Sequence, residues 1–133
     1  MRMLLVMTAC TACGGAAMQT INIVNKTDRQ IEAVYVYPVG AADHGASRGA
    51  LGPQQATQVT IKGGNVEVQA VSAKIKFDDH HRDKPAASQA IELTHPVEVD
   101  FYDSNAKPTG LDRPNVIGVS FVINTPPPAD PPQ

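Results

Sequence analysis

The chain reads as an all-β protein, a single antiparallel sandwich of seven to eight strands of the immunoglobulin-like or transthyretin-like kind. Three observations predict it. Val, Ile and Thr recur in short runs bounded by Gly, Pro, Asn and Asp, the composition of half-buried strands and their turns. The Leu- and Ala-rich spacing of an amphipathic helix is largely absent. Apolar and polar residues also alternate along the runs: Val97, Val99 and Phe101 with Glu98 and Asp100, and a second odd-numbered stripe of Ile117, Val119, Phe121 and Ile123.

Taken in order, strands are expected over residues 19–26, 31–38, 56–62, 65–77, 88–94, 96–102 and 116–124, the fourth being long enough to divide in two. Gly63-Gly64 separates two alternating runs and accepts positive φ, so it reads as a tight hairpin that sets Val59 and Ile61 beside Val66 and Val68 on the buried face. After Ala70 the apolar positions change from even to odd, to Val71, Ala73, Ile75 and Phe77. A one-residue slip of this kind predicts a bulge or sandwich corner at residues 70–71. On the second strand Tyr35 and Tyr37 share one face and Val34 and Val36 the other, and the aromatic face is expected in the core. Long polar connections over residues 40–55, 78–87 and 104–115 belong at the ends of the sandwich. The domain spans residues 16–124, and residues 125–133, with five prolines, form a disordered polyproline-type tail.

Residues 1–15 are of another kind. Arg2 begins a short positive segment, Met3 to Met7 are apolar, and Thr8-Ala9 supply the small residues that a signal peptidase accommodates at its cleavage site. This stretch resembles the lipobox of bacterial lipoproteins, in which a small residue precedes a cysteine that receives a diacylglycerol. The resemblance implies lipid attachment at Cys10, which follows Val6-Met7-Thr8-Ala9, with Cys13 and its following Gly14-Gly15 as the alternative. The apolar run is shorter than the ~7–15 residues of an ordinary signal core, which points to a start upstream of Met1. Both cysteines lie in this segment, so the rest of the chain has no thiol for a disulfide and must be held by packing alone.

A second resemblance covers about 40 residues: Asn25-Lys-Thr27, then Tyr35-Val-Tyr-Pro38, then Leu51-Gly-Pro53. It is similar to small exported bacterial β-domains in which an Asn-x-Thr turn leads to a Tyr-Val-x-Pro strand and a Leu-x-Pro turn. It implies an exported β-sandwich and carries no site residues.

Chemistry is sparsely written. A net charge of −2 without long blocks of one sign argues against a nucleic-acid footprint. After Met7 no apolar run approaches the ~20 residues of a membrane helix, so membrane association is expected through the lipid. Asp78-Asp79-His80-His81-Arg82-Asp83 is the one cluster of ligand-type side chains, and with His44 and His95 it offers a metal reading through Asp78, His80, His81 and His95. In an extended segment adjacent histidines point apart, so the plainer reading is a solvated loop. No serine lies in a nucleophile elbow: Ser120 falls within a strand and lacks the second glycine of that motif. Glu98 and Asp100 share a strand face, as any solvent-facing pair does. The reading is a lipid-anchored, non-catalytic envelope protein with no cofactor, facing the periplasm from the outer membrane and acting as a binding or structural module through contacts with another envelope protein. A periplasmic metal-binding protein built on the His80/His81 loop is its alternative.

Overall fold

A computed structural model describes residues 17–80 and 82–123, so the two cysteines, His81 and the proline-rich tail lie outside the described residues. Nine strands are found among them: β1 (Met18–Asn25), β2 (Ile31–Pro38), β3 (Ala56–Lys62), β4 (Gly64–Ser72), β5 (Ile75–Lys76), β6 (Arg82–Asp83), β7 (Ala86–Leu93), β8 (Val97–Asp103) and β9 (Val116–Phe121). They form a four-stranded sheet in the order β3-β1-β8-β9, a three-stranded sheet in the order β2-β4-β7, and a small β5-β6 ribbon. The architecture is all-β, as the composition predicts.

Burial of alternate residues holds the two larger sheets together. The first contributes Ile21, Ile23, Val59, Val97, Val99, Phe101, Val119 and Phe121; the second contributes Ile31, Val34, Val36, Val66, Val68, Ala70, Ala87, Ile91 and Leu93, and all join one cluster with Leu51. Phe101 and Phe121 stand in its middle with ring centroids 5.7 Å apart. Each buried side chain of this size contributes roughly 1.5–3 kcal/mol relative to exposure, so these two inner faces are the main stabilising element.

Four expectations are corrected. The four-stranded sheet is mixed: β1 pairs with β3 antiparallel, but β1 with β8 and β8 with β9 are parallel. Gly63-Gly64 is no hairpin, because β3 and β4 lie in different sheets, and Val59 and Val68 join the core from opposite sides. The chain crosses between layers here, with Gly64 at φ +125°, while a Cβ on Gly63 would lie 2.8 Å from the Leu93 carbonyl oxygen and 3.1 Å from that of Ala17. Backbone cannot yield as a flexible side chain does. Gly63→Ala should therefore cost on the order of 1–3 kcal/mol in denaturant unfolding, whereas Lys62→Ala, at an exposed position, should stay within about 0.5 kcal/mol.

The corner expected at residues 70–71 is likewise absent. β4 keeps its even-numbered buried positions through Val66, Val68, Ala70 and Ser72, and it ends there. Ser72 is buried because its hydroxyl accepts from Arg29 Nε at 2.9 Å and donates to the Ala73 carbonyl at 2.8 Å. Polar satisfaction lets a serine hold a core-facing position while Val71 stands half-buried outside. The bulge lies on the neighbouring strand, between Ile31 and Ala33.

On β2 the tyrosines do not enter the core: Val34 and Val36 do. Tyr37 is nevertheless buried on the outer side, because the ring of His44 stacks on it at 3.7 Å between centroids and 2° between planes.

Asn25 and Thr27, the first motif of the second resemblance, are both buried. The Asn25 amide donates to the carbonyls of Arg29, Leu51 and Gly52 at 2.7, 3.0 and 3.1 Å, and its oxygen accepts from Thr27 N–H and hydroxyl at 2.9 and 2.7 Å. One side chain thus ties the β1–β2 turn to the Leu51-Gly-Pro53 turn. Motifs separated by about 25 residues in sequence are one structural knot.

Candidate functional site

The long connections do not simply hang from the ends of the sandwich. Two of them lie back on it, and each makes a cleft.

The first is the β8–β9 connection, residues 104–115. Because β8 and β9 are parallel, the chain must return the full length of a strand, and this crossover needs about a dozen residues. The return runs over the outer face of the four-stranded sheet. Leu111 reaches so close to Gly118 that a Cβ there would stand 2.9 Å from a Leu111 methyl carbon and 3.1 Å from the Tyr102 ring. Beneath this cover lies Asp100, which is fully buried although it faces away from the core, breaking the alternation of Val97, Val99 and Phe101.

Asp100 is the most unusual group of the described residues. Neither carboxylate oxygen receives a hydrogen bond, and the nearest cation, Arg113 Nη2, stands 3.6 Å away. That guanidinium is committed elsewhere: it donates to Glu98 Oε2 at 2.8 Å, and its Nε donates to the Gly110 carbonyl at 2.7 Å. Burial, followed by the neighbouring Glu98, pushes the Asp100 carboxyl up to about 6, with Lys26 and Arg113 pulling the other way. Glu98 is held below the usual range, first by the Asp100 carboxyl beside it, then by Arg113 and Lys26. Burial thus favours the protonated form of Asp100, while Glu98 beside it favours its own ionised form.

In front of this pair opens a cleft of about 260 Å³ lined by Thr20, Asn22 and Gln58 of the sheet, by Glu98, and by Arg113 and Asn115 of the connection. The register explains the grouping, since Asn22 lies beside Gln58 on β3 and beside Glu98 on β8. Amides, a hydroxyl, a carboxylate and a guanidinium share the cleft with the apolar surfaces of Pro96, Val97, Pro114 and Val116. That mixed surface suits a partner that offers both hydrogen-bonding and apolar groups.

The second cleft, of about 360 Å³, lies where the β2–β3 connection folds along β2, lined by Tyr37, Asp43, His44, Arg48 and Ile61 among others. The Tyr37–His44 stack pins one end of the loop, and the Arg48 N–H donates to the Val34 carbonyl at 2.7 Å. Burial first, and then Glu67 opposite it on β4, raises the Tyr37 phenol, so this hydroxyl stays protonated.

Among the described residues the histidines are not gathered, and His81 lies outside them. His80 stands exposed in the β5–β6 turn, its N–H donating to Asp78 Oδ1 at 2.7 Å. His44 is on Tyr37, and His95 is in the β7–β8 turn, 3.1 Å from the Thr94 hydroxyl. Among the described residues no group of three His, Cys, Asp or Glu side chains is arranged to hold a metal ion. Ser120 lies in β9, on the strand face that sequence alternation assigns it. Sequence reasoning saw Glu98 and Asp100 but took both as solvent-facing; the parallel crossover that buries one of them leaves no mark in local alternation. Arg113 was visible only as part of a polar loop.

No family model matches this chain, and neither a curated protein nor a solved structure is found to match it.

Proposed function

We propose that the protein is a lipid-anchored, non-catalytic component of the bacterial envelope whose β-sandwich, of immunoglobulin-like or transthyretin-like kind, acts as a binding or structural module through protein contacts. The observation that carries the binding part is the crossover 104–115 pinned down by Arg113 and Leu111. It closes a cleft of mixed polar and apolar lining on the outer face of the four-stranded sheet, so the surface is formed before a partner arrives. The anchor rests on the lipobox-like residues around Cys10 and Cys13.

The test has two readouts on the protein in its native envelope. Intact-mass analysis and detergent-phase partition should find an acylated Cys10 and a detergent-phase protein, and Cys10→Ser should abolish both or move the lipid to Cys13. A photo-crosslinking side chain placed at Gln58, in the cleft, should form an adduct with another envelope protein. An unmodified N-terminus in the aqueous phase overturns the anchor, and no adduct from Gln58 overturns the cleft as the contact surface.

A further inference from the structure

The two edges of the three-stranded sheet are treated differently. On β2, the Val39 N–H to Asn65 carbonyl bond of 3.0 Å continues the ladder to β4. The antiparallel alternation then turns the backbone groups of Val34 and Val36 away from β4, toward the free side. Those groups are covered: Val34 N–H donates to the Ser47 hydroxyl at 3.4 Å, the Val34 carbonyl accepts from Arg48 N–H at 2.7 Å, and the Val36 carbonyl accepts from Arg48 Nη2 at 3.5 Å. Farther along, Ile31 exchanges two 2.9 Å bonds with Leu51.

The same reasoning applied to β7 gives the opposite result. The Ser72 N–H to Pro85 carbonyl bond of 2.9 Å continues the β4–β7 ladder, so the odd-numbered residues Ala87, Gln89 and Ile91 face β4. Ala86, Ser88, Ala90 and Glu92 turn their backbone groups outward, and their side chains are exposed. Among the described residues the only hydrogen bond to these groups comes from Gln89 Nε2 of the same strand, to the Ala90 carbonyl at 3.0 Å. Pro85, the residue without an N–H, sits in the parity that faces β4 and so leaves the free side intact. Among the described residues the devices that normally protect an edge, such as a charge within the strand, an outward-facing proline or a covering loop, are missing from Ala86 to Ile91, the strand's one charge being Glu92 near its end.

We infer that β7 is a self-association edge, pairing antiparallel with β7 of a second copy about a two-fold axis at Ser88. Charge selects this occupant and register. With Ser88 opposite Ser88, Ala86 faces Ala90, and Lys84 faces Glu92 at both ends, so the copies meet through small side chains bounded by two opposite-charge pairs. Lys84, two residues before β7, holds Glu32 at 2.8 Å and is half-exposed, so in the dimer it would exchange Glu32 for Glu92 of the second copy or be shared between them. The free edge of β3 lacks this complementarity: it carries Lys62, and no acidic residue lies between Leu51 and Gly64 to meet it in an antiparallel copy. Joining two three-stranded sheets through β7 makes one continuous six-stranded sheet, and a contact limited to one strand gives an affinity in the micromolar range.

Sedimentation velocity on the full chain, in detergent if it carries lipid, should show a concentration-dependent dimer. Ala86→Lys combined with Ala90→Lys places like charges opposite each other in this register and should leave a monomer with unchanged thermal unfolding. Ala86→Lys combined with Ala90→Glu restores opposite pairs and should dimerise at least as well as the unsubstituted chain. A chain monomeric throughout the micromolar range overturns the proposal. So does a dimer indifferent to the double lysine variant, or one that the Lys/Glu combination fails to restore.

Discussion

Val68→Asp should leave the domain unfolded at room temperature. Val68 is fully buried in the middle of β4, opposite Val36 on one side and Gln89 on the other, with its side chain in the cluster between the sheets. A carboxylate there loses the burial of the valine and must either remain charged in an apolar interior or take up a proton and leave an acid group without a partner. Either route costs several kcal/mol, on the order of the ~5–15 kcal/mol that holds a domain of this size together. Thr60→Asp, one layer away on β3 and exposed, should change stability by no more than about 0.5 kcal/mol. Circular dichroism and denaturant titration of the two variants decide the matter: a folded Val68→Asp protein with near-normal stability would show that the inner faces are misplaced.

The second large effect concerns Asp100, and its sign is opposite. Its carboxyl is raised from an ordinary aspartate's 3.8 to about 6. The folded chain therefore holds a proton over a range in which the unfolded chain has lost it. Stability should rise as pH falls from 7 through 6 toward about 4, and be lost as pH climbs back through 6. Glu98 acts the other way, since its lowered carboxyl withdraws stability as pH falls through and below the usual glutamate value of 4.5. Together they place the stability maximum on the acid side of neutrality. The groups that face Asp100 are Glu98 from its own strand, Lys26 just beyond β1 and Arg113 from the crossover, while its β9 neighbour Gly118 brings no charge. Asp100→Asn removes the buried charge and gives Glu98 an N–H donor. The variant should be more stable than the parent at pH 7.5 by about 1–3 kcal/mol, with the difference shrinking toward pH 5. Urea unfolding at the two pH values tests this, and an Asn variant less stable at pH 7.5 would mean that the ionised carboxylate has a stabilising role.

The strand positions were largely legible because alternation reports one side of a strand against the other. β2 and β3 fall at the expected residues, and β1, β7 and β8 differ only at their ends. What alternation does not report is which strand lies alongside. At Gly63-Gly64 a tight hairpin and a passage to the opposite sheet both convert odd inward positions into even ones, so Val59, Ile61, Val66 and Val68 are inward in either case. The difference rests on contacts made by residues far away, among them the Leu93 and Ala17 carbonyls that leave room only for glycine at position 63.

The two aromatic faces show the same limit from another side. Tyr37 is buried, as an aromatic-poor chain leads one to expect, but by a stacked histidine from a loop and not by the facing sheet. Ser72 is inward because Arg29, 43 residues earlier in the chain, reaches its hydroxyl.

Composition and local pattern by themselves determined that this chain builds β-strands, which residues could line a core, and where a cysteine stands after an apolar run. They could do so because propensity and periodicity act between residues one to four positions apart. The tertiary structure alone decided that β8 lies parallel to both β1 and β9. That pairing forces a crossover over the sheet, the crossover covers Asp100, and burial leaves an ordinary strand carboxylate without a hydrogen-bond partner and pushes its carboxyl up. Desolvation depends on what covers a side chain, and the cover here comes from residues that neither precede nor follow Asp100 in its own strand.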